Sequence, residues 1–306
     1  MDNPTAPRRM ALLLFAVVVT WGIGWPVSKA ILHFLPPLWA TAIRTAIGSL
    51  ALLVICLARG RLILPKRGDI PVILSIGLLH MVCFSGLAIF GMQHVTAGRT
   101  VVLAYTTPLW VVPGARLFLG EALTRMRLLG VGIGLAGLCL IFNPLTFDWH
   151  NRDAVLGNGL VMLAALCWAI SILYVRAHRW VSPPFELCFW QTLLATAALT
   201  VLALCVEGRP HLHWHGELAL MLGYTGIFGI ALAYWAVALV NRALPAMTTS
   251  LGLLGVPVVG ILCSTWLLHE TFDAPLLGAL SLIIAGIVIG TRPGLSRPAQ
   301  GVSRPA

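Results

Sequence analysis

An all-α integral membrane protein, with ten transmembrane helices arranged as two inverted five-helix repeats and both termini in the cytoplasm, is the fold class this sequence predicts. Three observations carry the prediction. First, 59% of the 306 residues are hydrophobic and only 10% are charged, whereas an average soluble domain carries about 25% charged residues. With a mean hydropathy of +0.93, the chain lacks a water-compatible surface and needs the bilayer as solvent. Second, the stretch Ala97–Thr124, AGRTVVLAYTTPLWVVPGARLFLGEALT, returns 149 residues later as Ala246–Asp273, AMTTSLGLLGVPVVGILCSTWLLHETFD. The offset pairs Thr100 with Thr249, Pro108 with Pro257, Glu121 with Glu270, and Ala136-Gly137 with Ala285-Gly286. A long internal repeat in so apolar a chain is the pattern of a transporter built from two related halves. Third, the basic residues fall unevenly along the chain, and this orients the helices.

The elements follow in order from apolar runs long enough to span about 30 Å of hydrocarbon. Helix 1 covers 10–32, after Arg8 and Arg9; with no small-x-small cleavage site it reads as a retained helix and not a signal peptide. Helix 2 covers 37–59 and opens at Pro36-Pro37, and helix 3 covers 69–93 after Pro65-Lys66-Arg67. Helix 4, 97–118, holds the first copy of the repeat; helix 5, 125–143, stops at Asn143-Pro144. Helices 6 and 7 cover 156–178 and 185–206, divided by Ser182-Pro183-Pro184. Helix 8 covers 216–241, helix 9 covers 246–268 after Leu244-Pro245, and helix 10 covers 275–291. The halves are therefore 10–143 and 156–291. They are flanked by a cytoplasmic tail at 1–9 and a Pro/Gly/Ser-rich cytoplasmic tail at 292–306 whose composition reads as disordered.

With the N-terminus inside, fifteen of the twenty Lys and Arg residues fall on the cytoplasmic side, and Lys29, Arg44, Arg99, Arg152 and Arg209 fall outward. Five helices per half is an odd number, so the second half enters the membrane upside down. The Glu121 end of helix 4 then lies inside and the matching Glu270 end of helix 9 outside.

Several other readings fail. The net charge of +10 is spread between apolar runs, so it does not indicate nucleic-acid binding. The seven cysteines sit in apolar segments without a CxxC pair, which removes disulfide and zinc frameworks. Gly132-Ile133-Gly134-Leu135-Ala136-Gly137 matches GxGxxG, with Asp153 beyond it, but lies inside an apolar helix and not after a strand. Gly130 and Gly134, with Gly286 and Gly290, instead make small-xxx-small faces for helix packing or dimerisation. His211-Leu212-His213-Trp214-His215 reads as an interfacial loop and not a metal site, and no catalytic set, metal or cofactor motif is found. An enzyme is not expected.

The order and doubling of these features resemble the EamA type of the drug/metabolite transporter superfamily. The residues concerned are Trp21-Gly22-Ile23-Gly24-Trp25-Pro26 in helix 1, the mid-helix prolines of helices 4 and 9, and the glutamate closing each. The Trp-rich first helix and Tyr105-Thr106-Thr107-Pro108 bring the chain closest to bacterial aromatic amino acid exporters. The resemblance covers residues 10–291. It implies a multi-pass exporter of the bacterial inner membrane with a substrate cavity between its halves.

Depth selects candidate site residues. At ~1.5 Å of rise per residue, Trp21, His80, Thr106, Thr107, Pro108, Trp168 and Pro257 share the membrane midplane. Polar groups at that depth mark substrate paths when they face a cavity. The expected lining is Trp21 and Trp25 of helix 1, His80 and Phe84 of helix 3, Tyr105 and Thr106 of helix 4, Trp168 of helix 6, and Tyr234 and Trp235 of helix 8. Arg44 of helix 2, about four residues outward of the midplane, either snorkels or satisfies carbonyls, or holds a substrate carboxylate in an outer vestibule. Trp39 and Trp266 read as interfacial anchors. Pro108 and Pro257, at matched depth in opposed halves, are hinge candidates for alternating access, with a static kink as the other reading. All ten acidic residues lie at helix ends or in loops. A cavity without a buried carboxylate suits a zwitterion with a large apolar side chain better than a drug cation. The expected function is export of amino acids, aromatic and other neutral ones; the alternative is export of drugs or other small metabolites on the same scaffold. The expected partners are a small-molecule substrate and the lipid bilayer, with the protein a monomer or a homodimer.

Overall fold

Helices this apolar have no aqueous face to spare, and the computed structural model packs them side by side; it describes residues 5–121, 123–142, 148–210, 215–243, 249 and 252–291. Every regular element among those residues is helical. Seven helical segments are long and apolar enough to cross a membrane, and two shorter apolar helices, Gly255–Leu268 and Ala274–Gly290, accompany them. In chain order the helices are α1 (Thr5–Ile31), α2 (Pro37–Ala58), α3 (Arg67–Gly91), α4 (Ala97–Leu119), α5 (Arg125–Ile141), α6 (Arg152–Ala177) and α7 (Pro184–Val206). Next come α8 in three contiguous pieces (Gly216–Gly223, Tyr224–Leu232 and Ala233–Ala243), α9 (Gly255–Leu268) and α10 (Ala274–Thr291). The turns expected at Asn143-Pro144 and Leu244-Pro245, His211 and His213, and the tail at 292–306 lie outside the described residues.

Local chemistry sets the helix ends. Pro37 and Pro184 occupy the first turns of α2 and α7, where a missing N–H leaves no bond unmade. Side chains of Thr96, Thr124 and Asn151 accept from the backbone N–H of Arg99, Arg127 and Ala154, capping α4, α5 and α6. The repeat is visible in these ends. α4 closes on Gly120 at φ 66° and α9 closes on His269 at φ 52°, the matched residue and the sole described non-glycine with positive φ. The following N–H groups behave alike: Glu121 donates to Ala115 O at 3.2 Å and Glu270 to Ser264 O at 3.4 Å.

The prolines do not kink a continuous helix. α4 is already interrupted between Ala97–Ala104 and Thr107–Leu119, so Pro108 stands in the first turn of the second piece. Leu254 is likewise a turn residue before α9, which places Pro257 in the first turn of Gly255–Leu268. In α4 the hydroxyls of Thr106 and Thr107 donate to Leu103 O and Ala104 O, both at 2.7 Å. Carbonyls at the break are thus satisfied by protein.

Close packing ties the two halves together. α5 and α10 run antiparallel: Gly130 lies against Gly286 and Gly290, and Gly137 against Ala279. The glycine faces read from the sequence are therefore used within the chain, between its halves. Gly226 of α8 packs on Arg44 O and Ile47 of α2, and the matched Gly77 of α3 packs on Gln191 O and Leu194 of α7. Each contact recurs with the halves exchanged.

Candidate functional site

Two of these helices change gauge where the halves face each other. α3 is π-helical over Ser75–Phe84 and α8 over Tyr224–Leu232, matched positions of the repeat. π-turns occur often at functional sites because they redirect side chains. Here the first carries His80 and Phe84, and the second carries Gly229 at the place equivalent to His80.

Between them lies a cavity of about 160 Å³ bounded by α1, α2, α3, α4, α6 and α8, so both halves contribute walls. Eight of the ten expected lining residues border it: Trp21, Trp25, Arg44, His80 and Phe84, with Tyr105, Trp168 and Tyr234. Trp168 is the centre of the aromatic set. His80 stacks on it at 5.2 Å with planes 8° apart, Phe84 lies tilted at 4.8 Å, and Tyr105 meets it edge-on at 5.9 Å. On the other wall Trp21 meets Tyr234 edge-on at 6.2 Å and donates from Nε1 to Gly229 O at 2.9 Å. Trp25 meets Phe84 edge-on at 6.5 Å.

Two expected residues stand elsewhere. Thr106 is fully buried at the α4 break, where it donates to Leu103 O and faces Trp110 Nε1 at 3.4 Å. Trp235 lies under the Arg59 guanidinium, 5.2 Å from its ring centre, beyond the cavity wall. Pro108 and Pro257 stand behind the wall in their helix breaks. The sequence reading missed Ser28, Thr45, Thr225 and Gly229, which border the cavity. The repeat offset, applied to His80, would have pointed to Gly229.

The polar side chains of the wall are neutral apart from Arg44. Ser28 donates to Gly24 O at 2.7 Å, and Arg44 reaches Ser28 Oγ from Nη1 at 3.4 Å. No Asp or Glu borders the cavity.

Two glutamates at matched positions of the repeat make charged contacts outside the cavity. Glu270 crosses from the second half to the first turn of α4, accepting from Ala97 N at 2.8 Å and Gly98 N at 3.1 Å. This carboxylate caps a helix N-terminus, where negative charge is stabilised by the exposed N–H groups. Phe272 closes over Gly98, a position where any Cβ would strike the ring. Nearby, Lys29 Nζ donates to Met92 O, and to Val95 O at 2.8 Å. The matched Glu121 pairs with Arg176 and, at 3.1 Å, with Arg127. His215 lies against Phe34, with ring centres 6.1 Å apart.

Comparison with known proteins completes the picture. The profile of the EamA-like transporter family matches twice, at residues 8–143 and 155–292. The uncharacterized transporter YvbV of Bacillus subtilis is 30% identical over 283 residues, 92% of this chain and 91% of that protein. The uncharacterized inner membrane transporter YedA of Escherichia coli is 28% identical over 299 residues, 95% and 94% of the two chains. A probable amino-acid metabolite efflux pump of Salmonella typhimurium is 27% identical over 306 residues, 92% and 94%. A solved crystal structure at 21% identity superposes with a TM-score of 0.66 over 93% of this chain and 97% of its own, which establishes a shared fold.

Proposed function

The chain belongs to the EamA-like transporter family, a multi-pass membrane transporter, and from that premise we propose that it exports amino acids, aromatic and other neutral ones, across a bacterial inner membrane by alternating access. The observation that carries this reading is the aromatic cavity between the halves. Indole, phenol and imidazole rings offer broad stacking surfaces for large apolar side chains without sharp shape selection. The absence of carboxylates from its wall argues against drug cations. The relative named as an amino-acid metabolite efflux pump is in keeping with this substrate class.

The reading is tested with purified protein in liposomes. Trp21→Ala and Trp168→Ala are expected to reduce counterflow of labelled tryptophan and phenylalanine about tenfold, the loss expected with one large ring contact of ~1.4 kcal/mol, and to affect threonine less. Counterflow of organic cations in place of amino acids would overturn it in favour of a drug exporter. In the same liposomes Pro108→Ala should slow transport with affinity kept, because the matched breaks in α4 and α9 are where each half can flex; an unchanged rate makes the prolines static.

The same proposal places ten spans as inverted halves with both termini inside, an arrangement in which rocking exchanges the roles of the halves. Support comes from the antiparallel seam of α5 with α10 and from contacts that recur with the halves exchanged, beside the fifteen-to-five charge asymmetry. Topology reporters fused at Asn151 and Arg209 should read periplasmic, and those at Arg61, Arg179 and the C-terminus cytoplasmic. A cytoplasmic signal at Asn151 would remove the inversion.

A further inference from the structure

Among the described residues the wall of the cavity holds one permanent charge, Arg44, and no Asp or Glu balances it. Arg44 takes no part in the ion pairs found among the described residues. Its hydrogen bond is the long one from Nη1 to Ser28 Oγ at 3.4 Å, and its Nε is buried without a partner. The backbone around it is firmly held: Gly226 of α8 packs directly on Arg44 O, in a contact where a Cβ would come within 2.7 Å. A guanidinium is charged at every accessible pH and offers its donors in a planar fork that matches a carboxylate. At membrane depth a cation facing a cavity without a counter-ion is an incomplete pair.

We infer that the substrate completes this pair with a carboxylate, seated on Arg44 beside Ser28 at the α1–α2–α8 corner of the cavity, and that its amino group adds little to binding. The inference rests on the transport reading above and narrows it. An α-ammonium meets no full negative charge in the cavity and is offered neutral partners only, among them the hydroxyls of Ser85, Tyr105 and Tyr234 and the faces of the rings. The wall has no Asp or Glu, Gly229 O already accepts from Trp21, and Gly24 O already accepts from Ser28. A zwitterion thus gains a charge-matched pair at its carboxylate and weaker, neutral contacts at its ammonium. A monocarboxylate of the same size keeps the stronger of the two interactions and has no ammonium to desolvate. The substrate class extends accordingly from amino acids to aryl- and alkyl-substituted monocarboxylates.

The test is quenching of intrinsic tryptophan fluorescence in the purified full-length transporter by three compounds of one shape: 3-phenylpropionate, phenylalanine and phenethylamine. The expected order has 3-phenylpropionate at least as tight as phenylalanine, and phenethylamine weakest. Arg44→Gln should weaken the two carboxylates about 10- to 100-fold, the range for a lost hydrogen bond to a charged group, while phenethylamine, no longer repelled by the guanidinium, should not weaken. Ser28→Ala, with the guanidinium kept, should weaken them by a smaller factor. The wild-type ranking decides the matter even where Arg44→Gln does not fold. Phenethylamine binding as tightly as the carboxylates overturns the inference. So does equal carboxylate affinity in a folded Arg44→Gln variant. In both cases amino acid counterflow in liposomes can still succeed, which leaves the transport reading standing. Failure of all three compounds to bind, together with absent amino acid counterflow, overturns both.

Discussion

Gly286→Leu is expected to lower the thermal midpoint of the detergent-solubilised protein by about 5 °C or more, taking ~2–4 °C per kcal/mol, and to reduce the amount recovered from membranes. A Cβ at residue 286 would collide with Gly130 O and come within 2.7 Å of Gly134 N. A Cβ at residue 130 would collide with Gly286 O and come within 2.6 Å of Gly290 N. Both obstacles are backbone, so no rotamer change relieves them, and α5 must move away from α10. In lipid there is no hydrophobic force to draw the helices back, because lipid tails solvate them as well as a partner does. The loss should exceed the ~1–3 kcal/mol typical of one overpacked residue. Gly132→Leu is the control: it lies on the same helix, exposed, with open space where its Cβ would go. Equal melting of the two variants would mean that the seam does not hold the halves together.

Glu270→Ala is expected to open that end of the cavity. Its carboxylate makes two charge-assisted bonds to the first N–H groups of α4, each worth about 1.5–3 kcal/mol. Removing both shifts the balance between closed and open states by at least ~3 kcal/mol, the low end for two such bonds, which is upward of about 100-fold in population. The measurement is the labelling rate of a cysteine placed at Ala88, which borders the cavity, in a background lacking the seven native cysteines. A membrane-impermeant maleimide applied from the Glu270 side should react far faster in the variant, and net transport should fall because the transporter no longer closes there. Glu270→Gln keeps an acceptor without the charge and should fall between. An unchanged labelling rate in Glu270→Ala would show that the contact is not a latch.

The membrane class, the doubling of the chain and the aromatic set were legible in the residues alone. Composition states the solvent a chain requires, and the 149-residue offset states that two segments carry one design. That offset also foretells the matched helix ends at Gly120 and His269, which the structure supplies. What tertiary structure decided is which way each side chain turns. Tyr105 and Thr106 are neighbours at one depth, yet the first borders the cavity and the second seals a helix break; Tyr234 and Trp235 divide in the same way. Counting residues along a helix gives depth, at ~1.5 Å per step, but not azimuth. In a soluble helix the polar face would reveal the azimuth. These helices are apolar around much of their circumference, because lipid on one side and protein on the other are equally apolar, so the sequence carries little trace of which face looks inward. The π-helical stretches at Ser75–Phe84 and Tyr224–Leu232 also escape the sequence. No residue pattern marks them in the sequence, and they carry His80, which stacks on Trp168, and Gly229, whose carbonyl accepts from Trp21.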